Sequence, residues 1–226
     1  MKIVAVQKTS LIDYPDNISS ILFLSRCNFR CPYCHNRELV LDTLPKIDER
    51  DVIEDLKLRK KYIDGVVITG GEPTLYPDLI DLITEIKKIP LLVKLDTNGT
   101  NPDLLEELLS LKLLDYVAMD IKAGLEDYPK VVRTYVDTDK IKESIYLLKN
   151  SSIDYEFRTT VVPPFYNDKT AKKIGELIKG AKKYYLQQYI PRNTLDPEFM
   201  KIKPYPKKIL MKFVEILSQY VRTEIR

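Results

Sequence analysis

The sequence predicts an α/β protein in which parallel strands alternate with outer helices and curl into a partial (βα)6 barrel. Short β-branched apolar runs recur along the chain, each followed by a segment with helical spacing, which is the pattern of a parallel sheet with crossover helices. Six such units can be counted, and right-handed crossovers between them give an open arc rather than a closed eightfold barrel. Length sets the scale: 226 residues suit one domain, and a domain of that size buries roughly 70% of its unfolded surface, enough for a core without staples. Residues 1–226 are therefore read as a single domain, with 1–17 as an N-terminal extension and about 203–226 as a C-terminal loop and helix.

The strands are expected at 18–25, 65–69, 91–95, 116–120, 155–161 and 184–189. The helical segments carry their own signals. Residues 48–61 open on Asp48 and Glu49 and close on Arg59, Lys60 and Lys61, which matches side-chain charge to the helix dipole at both ends. Pro77, Pro102 and Pro206 mark helix first turns, where a missing N–H costs nothing. Asn101 reads as an N-cap, so Leu104, Leu105, Leu108 and Leu109 become one apolar face. The last helix, about 206–223, places Leu210, Phe213, Val214, Leu217 and Val221 at helical spacing. The proline-rich pieces 162–164 and 203–206 are loops within the domain. In such a fold ligands sit at the carboxyl ends of the strands.

Composition excludes several classes. The chain is 44% hydrophobic and 31% charged, with 36 Lys plus Arg against 33 Asp plus Glu, an ordinary globular balance. A net charge of +3 spread along the chain lacks the clustered footprint of nucleic-acid binding. No run approaches the ~18 apolar residues of a membrane span, and the opening apolar stretch is too short for a signal peptide. A cytoplasmic protein with no nucleic-acid or membrane partner is the expectation. The lysine-rich stretch from Lys169 to Lys183 reads as a solvated helix face.

All three cysteines fall in Cys27-Asn28-Phe29-Arg30-Cys31-Pro32-Tyr33-Cys34, a CxxxCxxC run directly after the first expected parallel strand. They are too few and too close for a disulfide framework and point to a ligand cluster in a reducing compartment. Three thiolates leave one iron of a [4Fe-4S] cube open to an exogenous ligand, unlike a four-cysteine electron-transfer centre. His35, the single histidine, keeps open a Cys3His zinc site, although adjacent Cys34 and His35 are hard to aim at one metal.

Three other strand ends bring polar residues to the same edge: Thr69-Gly70-Gly71-Glu72-Pro73, Asp96-Thr97-Asn98-Gly99-Thr100 and Asp120-Ile121-Lys122. Glycines let backbone approach a ligand closely. Asp96 and Asp120 are oxygen donors suited to a hard cation or hydroxyls, and Lys122 is a compact charge for a carboxylate. The alternative reading makes Asn98-Gly99 a turn and each aspartate a helix cap. Arg158 shares a strand face with Glu156, so that face is polar and lines the barrel interior.

The CxxxCxxC run with Tyr33 before its third cysteine resembles the radical S-adenosylmethionine (SAM) enzymes. Its continuation Cys34-His35-Asn36 and the upstream Thr9-Ser10-Leu11-Ile12-Asp13-Tyr14-Pro15 resemble the glycyl-radical-enzyme activases, particularly those that activate anaerobic ribonucleotide reductase. Asp16 and Asn17 depart from the pattern, because many relatives carry a glycine after Tyr-Pro. The resemblance covers nearly the whole chain and implies the partial barrel of the radical SAM type, with a [4Fe-4S] cluster on Cys27, Cys31 and Cys34. It implies SAM among Tyr33, His35, Gly70, Gly71, Glu72, Asp96, Thr97, Asn98, Asp120 and Lys122, and a monovalent cation near Asp96 and Asp120. Arg158 would reach the SAM carboxylate or form a structural salt bridge, and Gln188, chosen over Gln187, would lie near adenine. The implied activity is reductive cleavage of SAM and hydrogen abstraction from a glycine of a partner glycyl radical enzyme, with flavodoxin or ferredoxin as external electron donor. The alternative is a small radical SAM enzyme acting on a small molecule, similar to the carboxy-deazaguanine synthases, which often depart from CxxxCxxC spacing. A non-catalytic metal-binding module is the third reading.

Overall fold

Eight strands lie side by side in chain order in one sheet. They are β1 (Ile3–Ser10), β2 (Ser19–Leu24), β3 (Gly65–Gly70), β4 (Leu92–Thr97), β5 (Tyr116–Asp120), β6 (Asp154–Val161), β7 (Tyr184–Gln188) and β8 (Thr223–Ile225). The computed structural model describes residues 1–226. β1 runs antiparallel to β2, and every pairing from β2 to β8 is parallel. The six expected parallel strands are thus β2 to β7, each within one or two residues of its expected ends. Two edge strands are additions: β1 occupies about half of the stretch read as an extension, and β8 follows the last helix.

The helices are α1 (Arg37–Val40), α2 (Glu49–Arg59), α3 (Leu79–Lys87), α4 (Pro102–Ser110), α5 (Tyr128–Val132), α6 (Thr138–Asn150), α7 (Asp168–Leu177) and α8 (Lys207–Leu217). Asn101 caps α4 by accepting from Leu104 N, with Pro102 in the first turn. Pro77 and Pro206 differ from expectation: Pro77 precedes the N-cap Asp78, and Pro206 is itself the N-cap of α8. α8 stops at Leu217, so Val221 packs from the turn that leads into β8.

Burial is divided by the sheet. Its outer face and the helices, with Phe29, Cys31 and Tyr33 of the loop after β2, form one core of 52 buried residues. Its inner face is polar and aromatic, and register explains why. Ile21, Val67, Lys94 and Tyr116 are successive lateral partners across β2 to β5, so their side chains share one level of the interior. Tyr14 joins Ile21, Val67 and Tyr116 in a separate apolar cluster, its ring 5.9 Å from that of Tyr116. The Tyr14-Pro15 segment therefore closes the floor of the arc. Asp16 then takes φ 62°, the left-handed conformation that a glycine adopts freely and that Asp tolerates. Above the floor the level of Asp96, Ala118 and Glu156 follows, and then that of Asp120, Arg158 and Tyr185. The charged residues climb toward the strand carboxyl ends, where the loops converge.

Candidate active site

A cavity of about 200 Å³ opens at the carboxyl ends of β3 to β6, beneath the 26–36 loop. Cys27, Cys31 and Cys34 line it together with Tyr33, His35, Gly70, Gly71, Glu72, Asp96, Thr97, Asn98, Asp120, Lys122 and Arg158. Every site residue expected from the sequence except Gln188 is therefore on one wall or another. Phe29, Asn36, Val40, Thr69 and Thr160 complete the lining. Asn36 and Thr69 lie within or beside the quoted motifs; Thr160 could have been found from its alternation with Arg158.

The cysteine loop is held by its neighbours. Gly71 N donates to Leu24 O at 2.8 Å and Glu72 N to Arg26 O at 2.8 Å. A Cβ at Gly70, which has φ +126°, would stand 2.2 Å from Leu24 O, and one at Gly71 would stand 1.8 Å from Arg26 O. Gly70 thus serves close approach of β3 to the end of β2, and Gly71 close approach to the start of the cysteine loop. The Gly70 carbonyl accepts from Asn36 Nδ2 at 3.1 Å and keeps a second lone pair. Asn28 Oδ1 accepts from Asn98 Nδ2 at 2.8 Å, and Asn28 Nδ2 donates to Thr100 Oγ1 at 2.8 Å. Asn98 therefore ties the cysteine loop to the end of β4. His35 Nδ1 donates to Arg192 O at 2.8 Å, since a carbonyl can only accept, and its ring stacks on Tyr189 at 6.2 Å. His35 is thereby anchored to the loop after β7.

Glu72 is only 1% exposed and links two strand ends. Its Oε1 accepts from Thr74 N (3.0 Å), Thr74 Oγ1 (2.6 Å) and Thr97 Oγ1 (2.8 Å), and its Oε2 from Asn98 N (2.6 Å). Burial raises its pKa against these hydrogen bonds. Oε2 alone keeps capacity for another donor.

Five charged side chains stand deeper. Asp96 Oδ1 accepts from Lys94 Nζ at 2.5 Å, and Arg158 Nη2 approaches Asp96 Oδ2 at 3.0 Å. Arg158 Nε donates to Asp120 Oδ1 at 2.6 Å, and Lys122 Nζ donates to Asp120 Oδ2 at 2.8 Å. Burial works to raise both aspartates, but Arg158 with Lys94 holds Asp96 below the usual carboxylate range, and Arg158 with Lys122 holds Asp120 well below it. Arg158 is thus a bridge between two carboxylates as well as a cavity residue. Lys94 is a member of this network that the motifs did not reveal.

The β6–β7 register decides the glutamine. Thr160 pairs with Gln187 and Val161 with Gln188, and Thr160 faces the cavity. Laterally paired residues of parallel strands share a face. Gln187 is therefore the inward one; Gln188 lies on the face toward the helices, its Nε2 donating to Tyr189 O at 3.3 Å. The register thus puts Gln187, and not the expected Gln188, on the inward face, and neither side chain lines the cavity itself.

The donor set fits a multi-iron cluster better than zinc. Zn–S bonds of about 2.3 Å would draw the thiolates into near contact around one point. Three thiols share one cavity from a single loop, a donor set that three irons of a [4Fe-4S] cube would take. Burial pushes Cys27 up to about 12 and Cys31 up to about 11, and it raises Cys34 too, so ligation must displace protons from these sulfurs.

Residues 21–178 match the model of the Radical SAM superfamily. A Methanocaldococcus jannaschii protein, provisionally named a glycyl-radical enzyme activating enzyme, is 36% identical over 94% of this chain and 90% of its own. The pyruvate formate-lyase-activating enzyme of Clostridium pasteurianum is 27% identical over 86% of this chain and 83% of its own. Among solved structures, Streptococcus suis SuiB bound to S-adenosylmethionine superposes with TM-score 0.68 at 14% identity, covering 91% of this chain and 51% of SuiB. This chain thus spans about half the length of SuiB. A domain of the Bacteroides vulgatus pyruvate-formate lyase-activating enzyme gives TM-score 0.59 at 18% identity, covering 72% of this chain and 98% of that domain. At such identities these two structures support the fold.

Proposed function

Because the chain belongs to the radical SAM superfamily, we propose that it is an activase that takes a hydrogen atom from the Cα of a glycine in a partner glycyl radical enzyme. In this reading Cys27, Cys31 and Cys34 hold a [4Fe-4S] cluster, and the cavity between them and Asp96, Asp120, Lys122 and Arg158 holds SAM. When bound, the two supply one-electron reductive cleavage of the SAM sulfonium and, through it, hydrogen-atom abstraction. SAM, one electron and the glycine enter; methionine, 5′-deoxyadenosine and a glycyl radical leave. Flavodoxin or ferredoxin would be the donor, and anaerobic ribonucleotide reductase the partner.

The chain's own groups have defined tasks. Lys122 and Arg158 draw the SAM carboxylate, since the strand-end network counts three cations against two aspartates. The second lone pair of the Gly70 carbonyl and the spare capacity of Glu72 Oε2 receive its ammonium. Thr160 and Gln187 reach the nucleoside end. An arc open at both edges leaves room for a polypeptide loop, and the activase names of the relatives above favour such a substrate over a small molecule.

The observation that carries the proposal is the convergence of all three cysteines and the three other strand-end motifs on one cavity. The test is 5′-deoxyadenosine release from SAM by the anaerobically reconstituted, reduced protein. Wild type should release it, and Cys31→Ala should lose both four-iron incorporation and release. A protein that takes up zinc but no iron, and binds no SAM, would sink the reading.

A further inference from the structure

The family resemblance implies a monovalent cation beside Asp96 and Asp120, and both carboxylates are already paired with cations of the chain. Each of the four carboxylate oxygens meets one cationic nitrogen: Asp96 Oδ1 meets Lys94 Nζ, Asp96 Oδ2 meets Arg158 Nη2, Asp120 Oδ1 meets Arg158 Nε, and Asp120 Oδ2 meets Lys122 Nζ. The Thr97 hydroxyl donates to Glu72 Oε1 and accepts from Gly99 N at 3.1 Å. These oxygens keep further lone pairs, so what disfavours an alkali ion here is charge: it would stand among three cations already set against the two aspartates.

Lys94 is the decisive member. It sits mid-strand between Val93 and Leu95, is 2% exposed, and has Asp96 as its only acidic partner at 2.5 Å. Its ammonium stands 5.9 Å from the centre of the Tyr116 ring, the aromatic floor of the interior. A buried ammonium is costly unless paired, so the chain holds this charge in a fixed position. Even with Glu72 counted, the carboxylates Glu72, Asp96 and Asp120 are matched one for one by Lys94, Lys122 and Arg158. A further cation would add to three already set against Asp96 and Asp120, whereas the carboxylate of a ligand would be opposed by Lys122 and Arg158.

We infer that Lys94 is a built-in replacement for the monovalent cation: its ammonium fixes and neutralises Asp96 from below, so the site takes up SAM without an alkali ion. Lys94 is a positioning residue, acting through Asp96 and Arg158. The inference rests on the reading of the cavity as the SAM site.

The test titrates KCl and NaCl against choline chloride at constant ionic strength. Two quantities are read on the reconstituted protein: the dissociation constant of SAM, and the thermal midpoint without SAM. For wild type both should be flat, with affinity changing by less than about twofold. Lys94→Met, similar in length but apolar, should bind SAM on the order of tenfold more weakly in choline, and K⁺ or Na⁺ should restore affinity and raise its midpoint. A merely structural lysine would not create an alkali-ion requirement. A wild-type affinity or midpoint that rises with K⁺ over choline would overturn the inference, as would a folded Lys94→Met with no response to either ion. Should Lys94→Met not fold, the wild-type series still decides, with Lys94→Gln as the second variant. A wild type that binds no SAM in any salt strikes the SAM-site reading alone, and the midpoint series still judges Lys94.

Discussion

Glu156 and Arg158 stand two residues apart on the inward face of β6 and are neutralised differently. Glu156 is 0% exposed and closed off: Arg226 Nη1 and Nη2 donate to it at 2.6 and 3.0 Å, and Tyr116 Oη at 2.8 Å. Arg158 bridges Asp96 and Asp120 and still forms part of the cavity wall. One strand face thus carries, toward the floor, an ion pair whose carboxylate is fully buried and, toward the roof, one that lines the cavity. What separates them is height along the strand: the floor is shut by Tyr14 and by the arginine after β8, and the roof is bounded by loops that leave a cavity. Polarity inside the arc is a structural requirement at one end and a binding surface at the other.

The contrast can be broken from either end. Arg158→Met should do most, leaving Asp96 and Asp120 short of a buried partner, at about 3–5 kcal/mol of stability; SAM binding should fail in the folded fraction, as read by calorimetry. Arg226→Met should cost about 2–3 kcal/mol, less because that guanidinium is partly exposed, and should leave SAM affinity unchanged. Equal losses of SAM affinity in the two variants would erase the distinction between floor and roof. Glu72→Gln replaces an acceptor with a donor beside Asn98 N or Thr97 Oγ1 and should cost about 1–3 kcal/mol. Gln187→Ala should weaken SAM binding by roughly fivefold, the value of about one hydrogen bond, with Gln188→Ala silent.

Acid sharpens the same comparison. Asp96 and Asp120 have native pKa values below their unfolded ones, so their contribution is present above the ordinary carboxylate range and is lost as pH falls through the depressed native values. Asp120→Asn should therefore flatten the acid limb of the stability curve, measured by denaturant titration from neutral pH downward.

Much of this was legible beforehand. β2 to β6 are largely buried and announce themselves as apolar runs with β-branched residues, β7 as a short aromatic one, and the four motifs mark the strand ends that meet. β1 escaped because Gln7, Lys8 and Thr9 make its second half polar, as an exposed edge permits. β8 has only three residues and follows a helical pattern that runs on past Leu217. Glutamine choice is a matter of register between strands distant in sequence, which local pattern does not contain. Lys94 did leave a trace: a lysine between Val93 and Leu95 in a fully buried strand must have a carboxylate to meet.

An arc that does not close on itself retains two outer strands with unsatisfied backbone, a standing invitation to another chain. Here both are guarded. β1 breaks register between Ile3 and Ala5 and again between Gln7 and Ser10, and it presents Lys8 near its end. β8 is three residues long and flanked by the Arg222–Glu224 ion pair. Bulges, charge and brevity remove the straight ladder that fibril growth or strand exchange would require. The same interruptions that hid these strands from pattern reading make an open sheet tolerable in a crowded solution.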